Sequence, residues 1–206
     1  LAAKARPYAE RDVADLRDTL HMVLTAVTAN FGQQLNCAAL WLLDESGPDG
    51  PALVGHTGIG HFSRQEAEDT YRAIQSEARS DFLYYYEDLK AGRFRDALTQ
   101  FDKAIRDRRV PLAGYDWLRD VMNKPDVRRL YEDVAHRLPP ELRDAYRPGF
   151  PLLLAPLVVH NRAIGLLMGD NRVIGAPMRE ELRKAVRGLA AAAAVALSNT
   201  RLREAR

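Results

Sequence analysis

The stretch from residue 151 to 169 constrains this chain more than any other. Pro151-Leu-Leu-Leu-Ala-Pro-Leu-Val-Val-His160 and Ala163-Ile-Gly-Leu-Leu-Met-Gly169 are apolar almost throughout, and only Asn161-Arg162 parts them. Two short apolar runs around a polar turn read as strands that pair antiparallel. Pro156 has no N–H to give to a ladder, so its strand must have an open edge or a bulge at that point. The chain is therefore committed to a sheet in its last third.

A second hairpin lies near the other end. Cys37-Ala-Ala-Leu-Trp-Leu-Leu-Asp44 reads as a buried strand, the cluster Ser46-Gly-Pro-Asp-Gly-Pro51 as a turn, and Ala52–Gly58 as the return strand. Helices flank the two hairpins. Between Glu10 and Phe31 the residues Val13, Leu16, Leu20, Val23, Val27 and Phe31 alternate spacings of three and four, the period of an amphipathic helix or coiled-coil seam. Pro177 opens a long final helix with Glu180 and Glu181 in its first turn and Arg201, Arg203 and Arg206 at its end, all favourable to the helix dipole. Leu182, Val186, Leu189, Ala193, Ala196 and Thr200 repeat along it like a seam, and Ala190–Ala194 allows close packing. Four strands between two amphipathic helices suggest an α+β layer rather than alternating βαβ units.

The middle, residues 63 to 147, carries dense helix signals and no strand signal. Ser63-Arg-Gln-Glu66 is a capping box, so a helix starts there. Further helices are expected near Asp81–Lys90, at Tyr115–Met122 and at Pro125–Arg137, with another turn at Pro139–Tyr146. The phrase from Gly92 to Ile105 spaces Ala97, Phe101 and Ala104 like the second helix of a tetratricopeptide repeat. A single unit of that kind marks a helical hairpin, because stacked repeats number at least ~3. The block is thus expected to be all helix. Gly55, Gly58 and Gly60 precede it in a GxxGxG pattern that does not match the dinucleotide fingerprint, and they read as punctuation of a strand end.

The last segment resembles the C-terminal half of a GAF domain: a strand ending in Pro-Leu, a short turn, an Ile-Gly strand, and a closing helix with an Ala-rich stretch and Asn-x-x-Leu. Pro156-Leu157, Ile164-Gly165, Asp170-Asn171 and Asn199-Thr-Arg-Leu202 hold those positions. The first helix, the Cys37–Asp44 strand and the Leu53–Gly58 strand match the N-terminal half. The resemblance implies an antiparallel sheet with the first and last helices on one face and a small-molecule pocket on the other. The helical middle departs from the family, so no ligand contact from that region carries over.

Chemistry is sparse. The formal net charge is +2, from 30 Lys+Arg against 28 Asp+Glu, which gives no global field for nucleic acid or membrane. No apolar run approaches the ~18 residues of a membrane span. Cys37 is the only cysteine, which excludes an intrachain disulfide and a multi-cysteine zinc site and fits a reducing compartment, the cytoplasm by default. Its apolar neighbours make it a packing residue rather than a redox centre or bilin attachment point. One cysteine also cannot form the disulfide on which the family's methionine sulfoxide reductases rely. His21, His56, His61, His136 and His160 show no paired ligand spacing. His56 and His61 could meet at a pocket mouth and hold a metal or haem, as some family members hold haem, against the commoner satisfied or solvated histidine. Glu87-Asp88 and Glu132-Asp133 sit amid basic residues as solvated helix faces do. Asn123-Lys124 lacks the Phe-x-x-x-Asp-Glu partner of the family's cyclic-nucleotide binders. No nucleophile elbow, Walker motif or kinase signature occurs.

Aromatic residues concentrate in the middle: Tyr71, Phe82, Tyr84, Tyr85, Tyr86, Phe94, Phe101, Tyr115, Trp117 and Tyr131. They would either line a pocket for a flat ligand or fill the core of a helical subdomain. The pocket candidates are His56, His61, Tyr85, Tyr115 and Trp117, with no catalytic residue, no metal site and no cofactor assigned.

The expectation is one GAF-like domain over residues 1–206: N-terminal helix and first strands at 9–61, helical insertion at 62–148, last strands and closing helix at 150–206. Because the chain starts at Leu1 with no signal peptide, it reads as a piece of a longer protein. The expected function is a non-enzymatic bacterial sensor that binds a small ligand, dimerises through its terminal helices and relays its state to an output domain. The alternative is a protein-docking module whose insertion binds a partner and no small ligand.

Overall fold

The computed structural model describes residues 20–28, 35–76 and 99–204. Its centre is one six-stranded sheet in the order β3-β2-β1-β6-β5-β4, antiparallel at every pairing. The strands are β1 (Cys37–Asp44), β2 (Ala52–Ile59), β3 (Arg109–Pro111), β4 (Arg128–Leu130), β5 (Leu152–Val159) and β6 (Arg162–Asp170). The two hairpins read from sequence are β1–β2 and β5–β6, and they join through β1 against β6.

The central strands are apolar throughout because both faces of the sheet are covered. Along β1, Cys37, Ala39 and Trp41 enter one cluster, and Ala38 and Leu40 enter the other. β5 repeats the alternation, with Leu152 and Leu154 on the first face and Leu153, Ala155 and Leu157 on the second. A strand with period-two side chains and a core on each side has no polar position to fill.

The second face carries the terminal helices. Leu20, Leu24 and Val27 of α1 (residues 20–28) share a cluster with Val186, Ala190, Ala193, Ala194 and Leu197 of the closing helix Glu180–Glu204. Val13, Leu16 and Phe31 lie outside the described residues. The buried stripe of the closing helix runs through 182, 186, 190, 193, 194 and 197, close to the 3.6-residue period of a helix lying on a sheet. The expected seam drifts off it: Leu182, Val186 and Ala193 are buried against the chain's own sheet and α1, while Leu189 packs at the margin.

The middle block comprises α2 (Arg64–Ser76), α3 (Gln100–Ile105), α4 (Asp116–Met122), a 3-10 turn at Glu132–Arg137 and α5 (Pro140–Tyr146), and α3, α4 and α5 cover the first face. This block is not all helix, because it also supplies the edge strands β3 and β4. The helix expected at Pro125–Arg137 is instead β4 followed by the 3-10 turn. Both edge strands are three residues long, too short to show a period of two. What selects them is the unpaired edge of β2 and of β5. The helix expected at Asp81–Lys90 lies outside the described residues.

Two further details differ from the sequence reading. The β5–β6 turn is His160-Asn161, both at positive φ (48° and 61°), rather than Asn161-Arg162. That is the backbone of a type I′ turn, which His and Asn tolerate better than most residues. The Ser63 hydroxyl accepts from the N–H of Glu66, as the capping box requires, while the Glu66 carboxylate accepts from Phe62 N–H, one residue earlier than in the standard box. Pro156 sits as expected: β4 pairs β5 only as far as Leu154, and the β5–β6 register shifts between Leu157 and Val158.

Candidate functional site

Trp41 is the largest fully buried side chain in the protein's described residues, and its position follows from strand parity. It stands on β1 between Gly55 of β2 and Leu166 of β6, and joins Leu166, Ala39 and Met168 in the cluster on the insertion face. Among the described residues no group accepts a hydrogen bond from its indole Nε1–H. Burying a donor without a partner costs about 1–3 kcal/mol, so a fully enclosed one is a feature to account for.

The insertion reaches this face through β2. Leu40 pairs with Thr57 and Trp41 with Gly55, so His56 is the extra residue of a bulge. The bulge brings Gly55 and Gly58 under α3. A methyl at Gly55 would collide with the carbonyl oxygen of Ile105, and one at Gly58 would lie 2.9 Å from the Phe101 ring. These glycines therefore admit a helix onto the strand rather than only punctuating its end. Asp102 fixes the contact: its Oδ1 accepts from Gly58 N–H (2.7 Å) and from the Thr57 hydroxyl (3.1 Å), and its Oδ2 from Arg106 (2.7 Å). Thr99 caps α3 by accepting from Asp102 N–H.

A second polar knot closes the other end of the insertion. The Asp170 carboxylate is completely buried and accepts from Arg172 Nη2 (2.7 Å) and Nε (3.0 Å) and from Gly149 N–H (2.8 Å). Arg172 Nη1 donates to the Tyr146 carbonyl (2.8 Å), and its guanidinium lies 4.7 Å from the Tyr146 ring centre and 5.5 Å from that of Phe101. Phe62, Phe101 and Tyr146 meet edge to face at 5.4 Å each. Burial drives the Tyr146 phenol well above its ordinary pKa, and its hydroxyl donates to the Cys37 carbonyl (3.2 Å). Burial also pushes the Cys37 thiol up to about 11, against the pull of Arg172, while the thiol donates to the His61 carbonyl. For Arg172, burial favours losing the proton, yet Tyr146 and Asp170 outweigh it and the group stays charged.

Two solved structures share this architecture. One is the GAF domain/HD domain protein from Geobacter sulfurreducens, with a TM-score of 0.59 and 14% identity over 91% of this chain and 95% of that one. The other is a fragment of a methyl-accepting chemotaxis protein, with a TM-score of 0.56 and 14% identity over 94% of each chain. The fold is GAF-like. No family model and no curated relative matches the sequence.

In this GAF-like frame the pocket candidates separate. Tyr115 and Trp117, at the start of α4, are partly buried and pack against the insertion-face cluster that contains Trp41. His61 is partly buried just beyond β2, where burial holds its imidazole pKa below the ordinary value against the opposing charge of Glu66. His56 occupies the β2 bulge, and Tyr85 lies outside the described residues. Among the described residues no three His, Cys, Asp or Glu side chains group closely enough to hold a metal ion. The sequence reading passed over Trp41, Asp102 and Arg172. Asp170 entered it only as half of a family dipeptide. The available signal was a tryptophan at the centre of an apolar strand and carboxylates facing glycine-rich or strand-end backbone.

Proposed function

We propose that the chain is a non-enzymatic, cytoplasmic sensing domain that binds a small ligand on the insertion face of its sheet. The observation that carries this reading is the buried N–H of Trp41, which has no acceptor among the described residues. A ligand offering one hydrogen-bond acceptor to that donor, with flat apolar surface for Tyr115 and Trp117 of the same cluster, would supply that partner. Both similar structures come from proteins whose names speak of GAF or chemotaxis modules, which supports a signalling role. Residues 1–206 would act as one domain and pass the ligand's effect through the closing helix to an output domain of a longer chain.

Dimerisation is part of the proposal. The inner stripe of the closing helix is occupied by the chain's own sheet, so the mating surface would be its outer face. There Gly188, Ala191, Ala192 and Val195 are exposed, Val195 to 55%. Native mass spectrometry of freshly purified chain, equilibrated with the low-molecular-mass fraction of a bacterial extract, tests both parts. The expected result is a dimer carrying a small-molecule mass that Trp41→Phe loses. A bare monomer under all conditions would contradict it.

The docking-module reading has its own support. Phe101, Ile105, Leu118, Met122 and Tyr146 are fully buried on the insertion face, as in a core that serves only to hold helices in place. A bare dimer that nevertheless captures a protein partner through the insertion would favour that reading.

A further inference from the structure

We propose that Asp170-Asn171-Arg172 is a coupling element that makes the seating of the insertion and the approach to the closing helix a single event. Successive side chains at a strand end point to opposite sides, and here each side is engaged with a different part of the chain. Asp170 and Arg172 hold the exit of the insertion: Gly149 N–H, the Tyr146 carbonyl and the rings of Tyr146 and Phe101. Gly149 presses against Arg172 so closely that a methyl there would overlap the arginine Cα and Cβ.

Asn171 faces the other way. Its Oδ1 accepts from Asn36 N–H (3.1 Å), and its Nδ2 donates to the Ala176 carbonyl (3.1 Å). Asn36 answers by accepting from Ile174 N–H (2.8 Å) through its own Oδ1, and its N–H also reaches the Asp170 carbonyl (2.9 Å). Gly175 N–H closes the turn on the Asn171 carbonyl (2.7 Å). Next to Asn36, Leu35 N–H donates to the Val27 carbonyl at the end of α1. Three consecutive residues thus tie the insertion, the lead-in to β1 and the segment that feeds the closing helix.

The guanidinium is held at both carboxylate oxygens, one carbonyl and two ring faces, so it has one arrangement when Tyr146 and Phe101 are seated. Moving α3 or α5 off the sheet removes that arrangement. The backbone at 170–172 then shifts, and with it the carbonyls and amides that Asn171 and Asn36 place. Coupling of this kind is reciprocal, since either end biases the same two states. Its use as a relay rests on the sensing role proposed above, whereas the coupling itself belongs to the ligand-free chain.

Hydrogen exchange on the ligand-free chain tests it with Arg172→Gln and Asn171→Ser. Each substitution should raise exchange in the segment it touches by roughly tenfold, and in the segment it does not touch by about threefold or more. Arg172→Gln must therefore loosen 174–186, and Asn171→Ser must loosen 140–149, while amides 38–43 in the sheet centre stay unchanged. Increases confined to the touched segment overturn the proposal, as does a uniform rise that includes 38–43. Should Arg172→Gln fail to fold, Asn171→Ser alone decides through the 140–149 amides. A coupled chain that binds no small molecule would refute the sensing role and leave the coupling intact; a ligand-binding chain without coupled exchange would do the reverse.

Discussion

Cys37 shows how far a single residue can be understood from its surroundings. It opens β1, buries its side chain and lies beneath Gly60, where a methyl would come 2.7 Å from its sulfur. With the thiol pKa raised from 9.0 to about 11, the thiolate fraction at neutral pH falls roughly a hundredfold. Iodoacetamide should therefore label the native chain slowly and the urea-unfolded chain at the rate of an ordinary thiol. Asp44 behaves oppositely. The hydrogen bond from Arg109 Nη1 (2.6 Å), helped by Ser46, lowers its pKa from 3.8 to about 2. Its folded pKa is depressed, so its contribution to stability is complete above about 3.8 and disappears as pH falls toward about 2. His61 is a base with a depressed pKa, so the unfolded chain binds its proton first, and stability declines as pH falls through the ordinary value of 6.5. Urea titrations across pH should show both declines, with His61→Asn removing the upper one and Asp44→Asn the lower. Of these environments only that of Cys37 was legible in sequence, because apolar neighbours in a strand suffice to bury it. The partners of Asp44 and His61 come from elsewhere in the fold.

Among the elements, the legible ones are those whose residues report their own environment. β1, β5 and β6 read correctly because an apolar run of eight or nine residues has few other fates. β3 and β4 did not, because a three-residue strand is created by the edge it joins rather than by its own pattern. The docking of α3 on β2 lies between these cases. Its glycines were visible, but the carboxylate that meets them is 44 residues away from Gly58 in the chain. Asp102 is buried and accepts from two groups of β2 and from Arg106, so Asp102→Ala should cost about 3 kcal/mol by leaving a partly buried guanidinium and a buried amide unpaired. Equilibrium urea unfolding checks this, and Asp102→Asn, which keeps one acceptor, should cost less. Exposed pairs give the contrast. Lys124 and Asp120 are both largely solvated, and breaking that pair should leave the urea midpoint almost unmoved.

At the scale of the molecule, the α+β layering followed from sequence: two hairpins joined in one sheet, with the terminal helices on one face and helices of the middle block on the other. The insertion's detailed packing did not follow, since it depends on which loops let a helix approach which strand. What unites the levels is a sheet with two covered faces. One is held by the terminal helices, the other by an insertion seated through Asp102 at one end and Asp170-Arg172 at the other. Trp41 stands on the face covered by the middle block, and among the described residues no group accepts its N–H. The chain has two tryptophans, so indole-15N labelling gives two cross-peaks, and Trp41→Phe assigns one of them. In the free chain the Trp41 indole proton should resonate upfield, as an unbonded N–H does. It should move downfield when the small-molecule fraction of a bacterial extract is added, while Trp117 moves less. A Trp41 peak already at a hydrogen-bonded position in the free chain, or one that stays fixed while the extract saturates the protein, would contradict the sensing role assigned to this face.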